Sequence, residues 1–212
     1  MRRLHHLLPV VLLLAAGCMP FAKRPIPIVE NGQPRATIVI PEKADEQTEQ
    51  AARLLAEYIK RSSGAELPIA PEPGPHPVAI HVGLTDYVRD LGLGIGKLDD
   101  DGFVIKSIGT HSLVIAGPTP WGTEFGVCEF LERYLSVRWL MPSALGDDVP
   151  KHRTIAVPRR TVRQEPVFFS RLFSGLEGEE QALWARRNRM RGRVSFHHNL
   201  LGLIPPETYT KT

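Results

Sequence analysis

The apolar positions between residues 36 and 158 alternate between a period of two and a period near 3.6, and each change of period marks an element. Ala36-Thr37-Ile38-Val39-Ile40 is a β-branched run halted by Pro41, the pattern of a strand. Asp45 then offers a capping carboxylate to a helix whose apolar face holds Ala51, Leu54, Leu55, Tyr58 and Ile59. Lys60 and Arg61 suit its C-terminal end, and Gly64 stops it. Leu67-Pro68-Ile69 predicts an edge segment, because proline has no N–H for a central ladder. Residues 78–82 predict another strand, and residues 102–108 and 112–116 predict a hairpin turning at Gly109-Thr110-His111. Thr119 and Pro120 supply the cap and first residue of a second helix, which runs to about Leu135. Phe125, Cys128, Leu131 and Leu135 share one face of it, and Gly122 and Gly126 let its backbone approach a sheet. Residues 137–140 and 154–157 predict the last strands. The order predicts an α/β fold of the α+β kind: a mixed β-sheet with two helices packed on one face.

The sequence ahead of this domain reads differently. Arg2 and Arg3 precede an apolar stretch over residues 7–16, too short to span a bilayer and suited to a signal peptide. It ends in Ala15-Ala16-Gly17-Cys18, which resembles a bacterial lipobox, with Ala15 where leucine is usual. The expectation is a lipoprotein signal over residues 1–17 and lipidation at Cys18, with simple cleavage and a free Cys18 as the alternative. Residues 18–35 carry Pro20, Pro25, Pro27 and Pro34 and read as an extended tether. Cys128 is the other cysteine of the two, and its apolar helical setting predicts a small buried hydrophobe, not a nucleophile.

Hydrophobic residues make up 42% of the 212, which excludes wholesale disorder, and the 18 Gly and 19 Pro show no repeating period. The net charge of +3 suggests a basic protein until its distribution is read. Residues 30–150 hold 10 basic and 18 acidic side chains; residues 151–193 hold 11 basic and 4 acidic. An acidic domain is thus followed by an arginine-rich segment. Arg186, Arg187, Arg189, Arg191 and Arg193 lie in or just after a predicted helix starting near Glu177, where a solvated or domain-contacting face is expected, not a nucleic-acid site. Membrane contact is expected only through the lipid on Cys18.

The motif-like clusters carry no cofactor chemistry. Gly92-Leu93-Gly94-Ile95-Gly96-Lys97 has the wrong spacing for a phosphate loop, and Leu98 stands where Ser or Thr would be needed. Asp99-Asp100-Asp101-Gly102 lacks the alternate spacing of a calcium loop and reads as a turn into a strand. His76, His81, His111 and His152 have no ligand spacing and are expected at the surface, so no metal is implied. The carboxylates beyond residue 158 offer no pair able to flank a glycosidic bond.

One run is specific enough to suggest kinship. Gly117-Pro118-Thr119-Pro120-Trp121-Gly122-Thr123-Glu124-Phe125-Gly126-Val127-Cys128-Glu129-Phe130-Leu131-Glu132, continuing to Pro142, resembles the N-terminal domain of the alpha-glucuronidase family of glycoside hydrolases. It is also similar to the domain that precedes the barrel in beta-N-acetylhexosaminidases. The likeness extends over about residues 36–158 and is greatest to bacterial lipoproteins joining this domain to a glycosidase-like barrel. It implies a non-catalytic domain packed on a (β/α)₈ barrel that carries the catalytic acids. Pro166-Val167-Phe168-Phe169-Ser170-Arg171 resembles the first barrel strand, whose arginine contacts the sugar. Ser195-Phe196-His197-His198-Asn199 resembles the second strand and its loop, so Arg171, His197, His198 and Asn199 are implied to bind carbohydrate substrate.

A barrel needs about 250 residues, so residues 159–212 are expected to hold a linker and only its first units, loosely packed around Phe168, Phe169, Trp184 and Phe196. The expected function is the accessory domain of an exported glycoside hydrolase, itself without catalytic acids. A glycan-binding lipoprotein without catalysis and a free-standing docking domain are the alternatives.

Overall fold

The computed structural model describes residues 24–175 and 177–194. The predicted signal, Cys18, His197, His198 and Asn199 lie outside the described residues. The chain enters through β1 (Ile26–Glu30) and β2 (Gln33–Pro34), where a tether was expected. Ile26, Ile28 and Val29 are buried, and β1 lies between β2 and the later strand β10 (Ile155–Val157). Pro27 is tolerated within β1 because the register with β10 shifts between Pro27 and Val29. Such an irregularity accommodates a residue that cannot donate to the ladder.

The main sheet has six strands in the order β11-β6-β7-β5-β3-β4. β3 (Ala36–Val39) follows β2, and α1 (Glu46–Ser63) leads from it to β4 (Ile69–Ala70) at the edge. β5 (Val78–Val82) pairs parallel to β3, and the short α2 (Asp86–Asp90) follows it. β6 (Phe103–Ile108) and β7 (Ser112–Ala116) form the predicted antiparallel hairpin. α3 (Pro120–Leu135) leads to the two-residue ribbon β8 (Arg138–Trp139) and β9 (Asp147–Asp148).

α1 and α3 pack on one face of the sheet, as the sequence pattern requires. Ile38, Ile80, Phe103, Ile105, Leu113 and Ile115 point from the strands into one core with Leu55, Tyr58, Phe125 and Phe130 of these helices. Thr48 donates its backbone N–H to Asp45 Oδ1, and Gly122 donates its own to Thr119 Oγ1, so both predicted caps form. An added Cβ at Gly126 would lie 3.1 Å from Ile115 and 3.2 Å from Phe103. Glycine there lets α3 lie close to the sheet without pushing these side chains aside. The opposite face is covered only in part, by α2 and the following loop, where Val88, Ile95 and Leu98 pack on Val104, Val114 and Ala116.

The domain does not end at residue 158. β11 (Thr161–Gln164) pairs antiparallel with β6 and forms an edge of the main sheet. No strand forms at residues 166–171; there Arg171 makes a single antiparallel bridge to Arg191. The last helix, α4 (Glu179–Arg187), begins two residues later than expected.

Candidate functional site

The arginines beyond residue 170 lie against the acidic residues of the domain. At the centre is Asp101, at the turn into β6, whose side chain has 0% exposure. Arg171 Nη2 donates to its Oδ2 at 2.7 Å, while Arg191 Nη1 and Arg193 Nη2 reach Oδ1 at 2.6 and 2.8 Å. Arg193 also holds Asp99, with Nη1 to Oδ2 at 2.9 Å. Glu165 accepts the Asp99 backbone N–H, so the turn is fixed from both sides. Burial alone would raise the Asp101 pKa, but hydrogen bonds from Arg193, Arg171 and Arg191 outweigh it and hold the carboxyl below its ordinary value. Arg193 likewise lowers Asp99.

The pairing continues along the segment. Arg186 Nη2 donates to Glu124 Oε2 at 2.6 Å, where Gln47 also donates. Arg187 lies 3.6 Å from the buried Asp147, which also accepts from Tyr58 and Arg61. Arg189 reaches Glu132 at 2.5 Å. Trp121 lies between the guanidinium groups of Arg186 and Arg191, at 5.2 and 4.5 Å from its ring centre. Trp184 Nε1 and Asn188 Nδ2 both donate to the Trp139 carbonyl. Arg171 and residues 184–193 therefore form a clamp across α3 and the Asp99–Asp101 turn. Among the described residues the expectation of loose packing is corrected for Trp184 and the arginines, which the domain holds, but not for Phe168 and Phe169, which stay exposed. Val167 and Phe168 nevertheless stand 94% and 72% exposed beside the clamp.

Arg171 is the one predicted sugar-binding residue among the described residues. Its Nε donates to the Arg189 carbonyl and its Nη1 to the Phe168 carbonyl, besides the ion pair with Asp101. It also borders a pocket of about 250 Å³ with Phe125, Pro166 and Met190. The structure thus gives Arg171 a fixing role within the clamp. No local pattern marks Asp99 and Asp101 as the arginine partners, because a three-aspartate run before a glycine reads only as a turn. The signal available was the matching excess of acid and arginine in the two halves.

A second concave region lies on the half of the sheet that α2 leaves uncovered. It has a volume of about 800 Å³, with Val39, Ala79 and His81 among its lining residues and Pro41, Pro71 and Tyr87 among those at its walls. His81, expected at the surface, is 3% exposed. Its Nδ1 lies 3.2 Å from Thr85 Oγ1, and its ring stacks on Tyr87 at 4.4 Å between centres. Burial lowers its pKa to about 4, so the ring is neutral at pH 7. Cys128 is fully buried and its thiol is pushed well above the usual range by that burial, so it is no nucleophile. Among the described residues no group of three His, Cys, Asp or Glu is arranged to hold a metal ion.

No protein-family model matches the chain, and no curated protein matches it in sequence. Among solved structures it matches a family GH115 4-O-methyl-alpha-glucuronidase, BtGH115A, with specificity for decorated arabinogalactans. The match has a TM-score of 0.51 at 19% identity and covers 69% of this chain and 19% of that one. The chain thus shares its fold with part of that enzyme. Further matches are the Streptomyces plicatus beta-hexosaminidase, at TM-score 0.46 and 15% identity, and the GH20 beta-N-acetylhexosaminidase from Streptomyces coelicolor, at 0.47 and 17%. They cover 70% and 71% of this chain, and 24% and 26% of theirs. The chain therefore spans about a quarter or less of the length of these enzymes.

Proposed function

We propose that the chain is the non-catalytic N-terminal accessory domain of an exported glycoside-hydrolase-like protein acting on oligosaccharide or polysaccharide bonds. The observation that carries this reading is the clamp, which fixes Arg171 and residues 184–193 on the domain and leaves Val167 and Phe168 presented to solvent. A fixed segment flanked by bare apolar side chains suits a surface against which a further domain packs. The buried carboxylates Asp101, Glu124 and Asp147 are each paired with arginine, so none is free to act as acid or nucleophile. Substrate chemistry would then belong to the barrel, with Arg171 holding the junction and His197, His198 and Asn199 supplied to the sugar.

The test is an assay of the 212-residue chain and of its full-length parent on aryl glycosides, glucuronides included. The chain is expected to show no turnover and the parent to hydrolyse at least one substrate. Turnover by the chain alone overturns the accessory reading. Anchoring to the bacterial envelope through a lipid on Cys18 is part of the same proposal. Labelling with radioactive palmitate should mark the wild-type chain and not Cys18→Ser; label on both would refute it.

A further inference from the structure

We infer that the groove beside His81 is a binding site for an uncharged saccharide, separate from the clamp and beyond the accessory role proposed above. Its volume of about 800 Å³ lies within the roughly 300–1,000 Å³ of small-ligand pockets. Its walls carry Pro41, Pro71, Pro73 and Pro77, whose fixed φ angles preorganise the opening. The polar centre is His81. Thr85 Oγ1 accepts the Val88 backbone N–H and lies 3.2 Å from His81 Nδ1, so that nitrogen is already engaged. The other ring nitrogen, Nε2, has no hydrogen-bond partner among the described residues. A neutral imidazole with one free ring nitrogen can exchange a directional hydrogen bond with a ligand hydroxyl, which both donates and accepts.

The other components fit the same ligand. Tyr87 is stacked on His81 and 39% exposed, an aromatic surface with a polar tip beside the imidazole. Sugar rings present both hydroxyls and apolar C–H faces, and this pairing of imidazole and aromatic ring answers both. Charge in the groove is mixed: its lining holds Lys43 and Arg89 beside three carboxylates, Glu42, Glu72 and Asp86, and Arg89 pairs with Asp86 at 2.9 Å. No surplus of cations remains to hold a uronate or a phosphate. The site therefore takes neutral sugar.

Saturation-transfer NMR on the full chain tests this with cellobiose, galactobiose, xylobiose and chitobiose as probes and glucuronic acid as the charged comparator. Transfer to ring protons of at least one neutral disaccharide is expected, with a shift of the His81 Nε2 resonance. Tyr87→Ala, an exposed change, should weaken the transfer at least fivefold, and Phe168→Ala, outside the groove, should leave it intact. Transfer from none of the four, stronger transfer to glucuronic acid, or a Tyr87→Ala signal equal to wild type would each overturn the assignment. The aryl-glycoside assay reads the accessory role independently, so either proposal can fail alone.

Discussion

The carboxylate of Asp101 is closed to solvent and accepts from three guanidinium groups. Removing one partner of a buried ionic group is costly, about 3–5 kcal/mol, because the charges left behind lose their compensation. Asp101→Asn is therefore expected to destabilise the protein by about 3 kcal/mol, read by urea unfolding; a loss below about 1 kcal/mol would mean packing, not charge, holds the clamp. Acid should act on the same residues. Asp99 and Asp101 bind a proton less readily folded than unfolded, so they stabilise the fold above the unfolded value of about 3.9. That contribution falls away as pH drops through their lower folded values. Stability should therefore fall progressively below about pH 4, read as a lower urea midpoint at about pH 3 than at about pH 7; an unchanged midpoint would contradict it. Local chemistry made Asp45 and Thr119 legible as caps, since each cap acts within three residues. His81 was not legible: an alternating strand pattern does not say whether its second face is covered.

Elements show a similar division. α3 was readable from its period, its cap and its glycines, and the structure sharpens what those glycines do. An added Cβ at Gly122 would lie 2.2 Å from the Gly102 carbonyl oxygen, which belongs to the backbone and has little freedom to retreat. At Gly126 the nearest atoms are side-chain carbons at 3.1 and 3.2 Å. Alanine gains about 1 kcal/mol over glycine in a helix interior. Gly122→Ala should nevertheless be the more destabilising of the pair, by about 2 kcal/mol or more, because overpacking outweighs propensity. Gly126→Ala should stay within about 1 kcal/mol of wild type. Thermal unfolding of both checks the order, and equal midpoints would refute the close-approach reading. β1 escaped sequence reading for a different reason. Pro25, Pro27 and Pro34 imitate a tether, and only the partner strand β10, more than a hundred residues away, supplies the ladder that makes residues 26–30 a strand.

At the scale of the whole molecule, the sequence shows that one half is acidic and the other rich in arginine, but not which side chains meet. Arg193 and Asp99 are 94 residues apart, and no local pattern encodes that contact. Once paired, the two halves behave as a domain with a charged strap whose weak point is the stretch before α4. There Val167, Phe168 and Phe169 are exposed, whereas β11 is held in the sheet and residues 186–193 are held by arginine. Chymotrypsin should therefore cut first between residues 167 and 173. The product beyond the cut should remain attached at low ionic strength, because α4 and Arg186 to Arg193 still grip the domain. In 1 M salt the Debye length falls to about 3 Å, which weakens the half-exposed pairs more than the buried Asp101 cluster. Size-exclusion chromatography of the nicked protein should thus show one species at low salt and partial release of the C-terminal piece in 1 M salt. Release at low salt would mean that the ion pairs do not hold the strap, and that the clamp cannot be what positions a following domain.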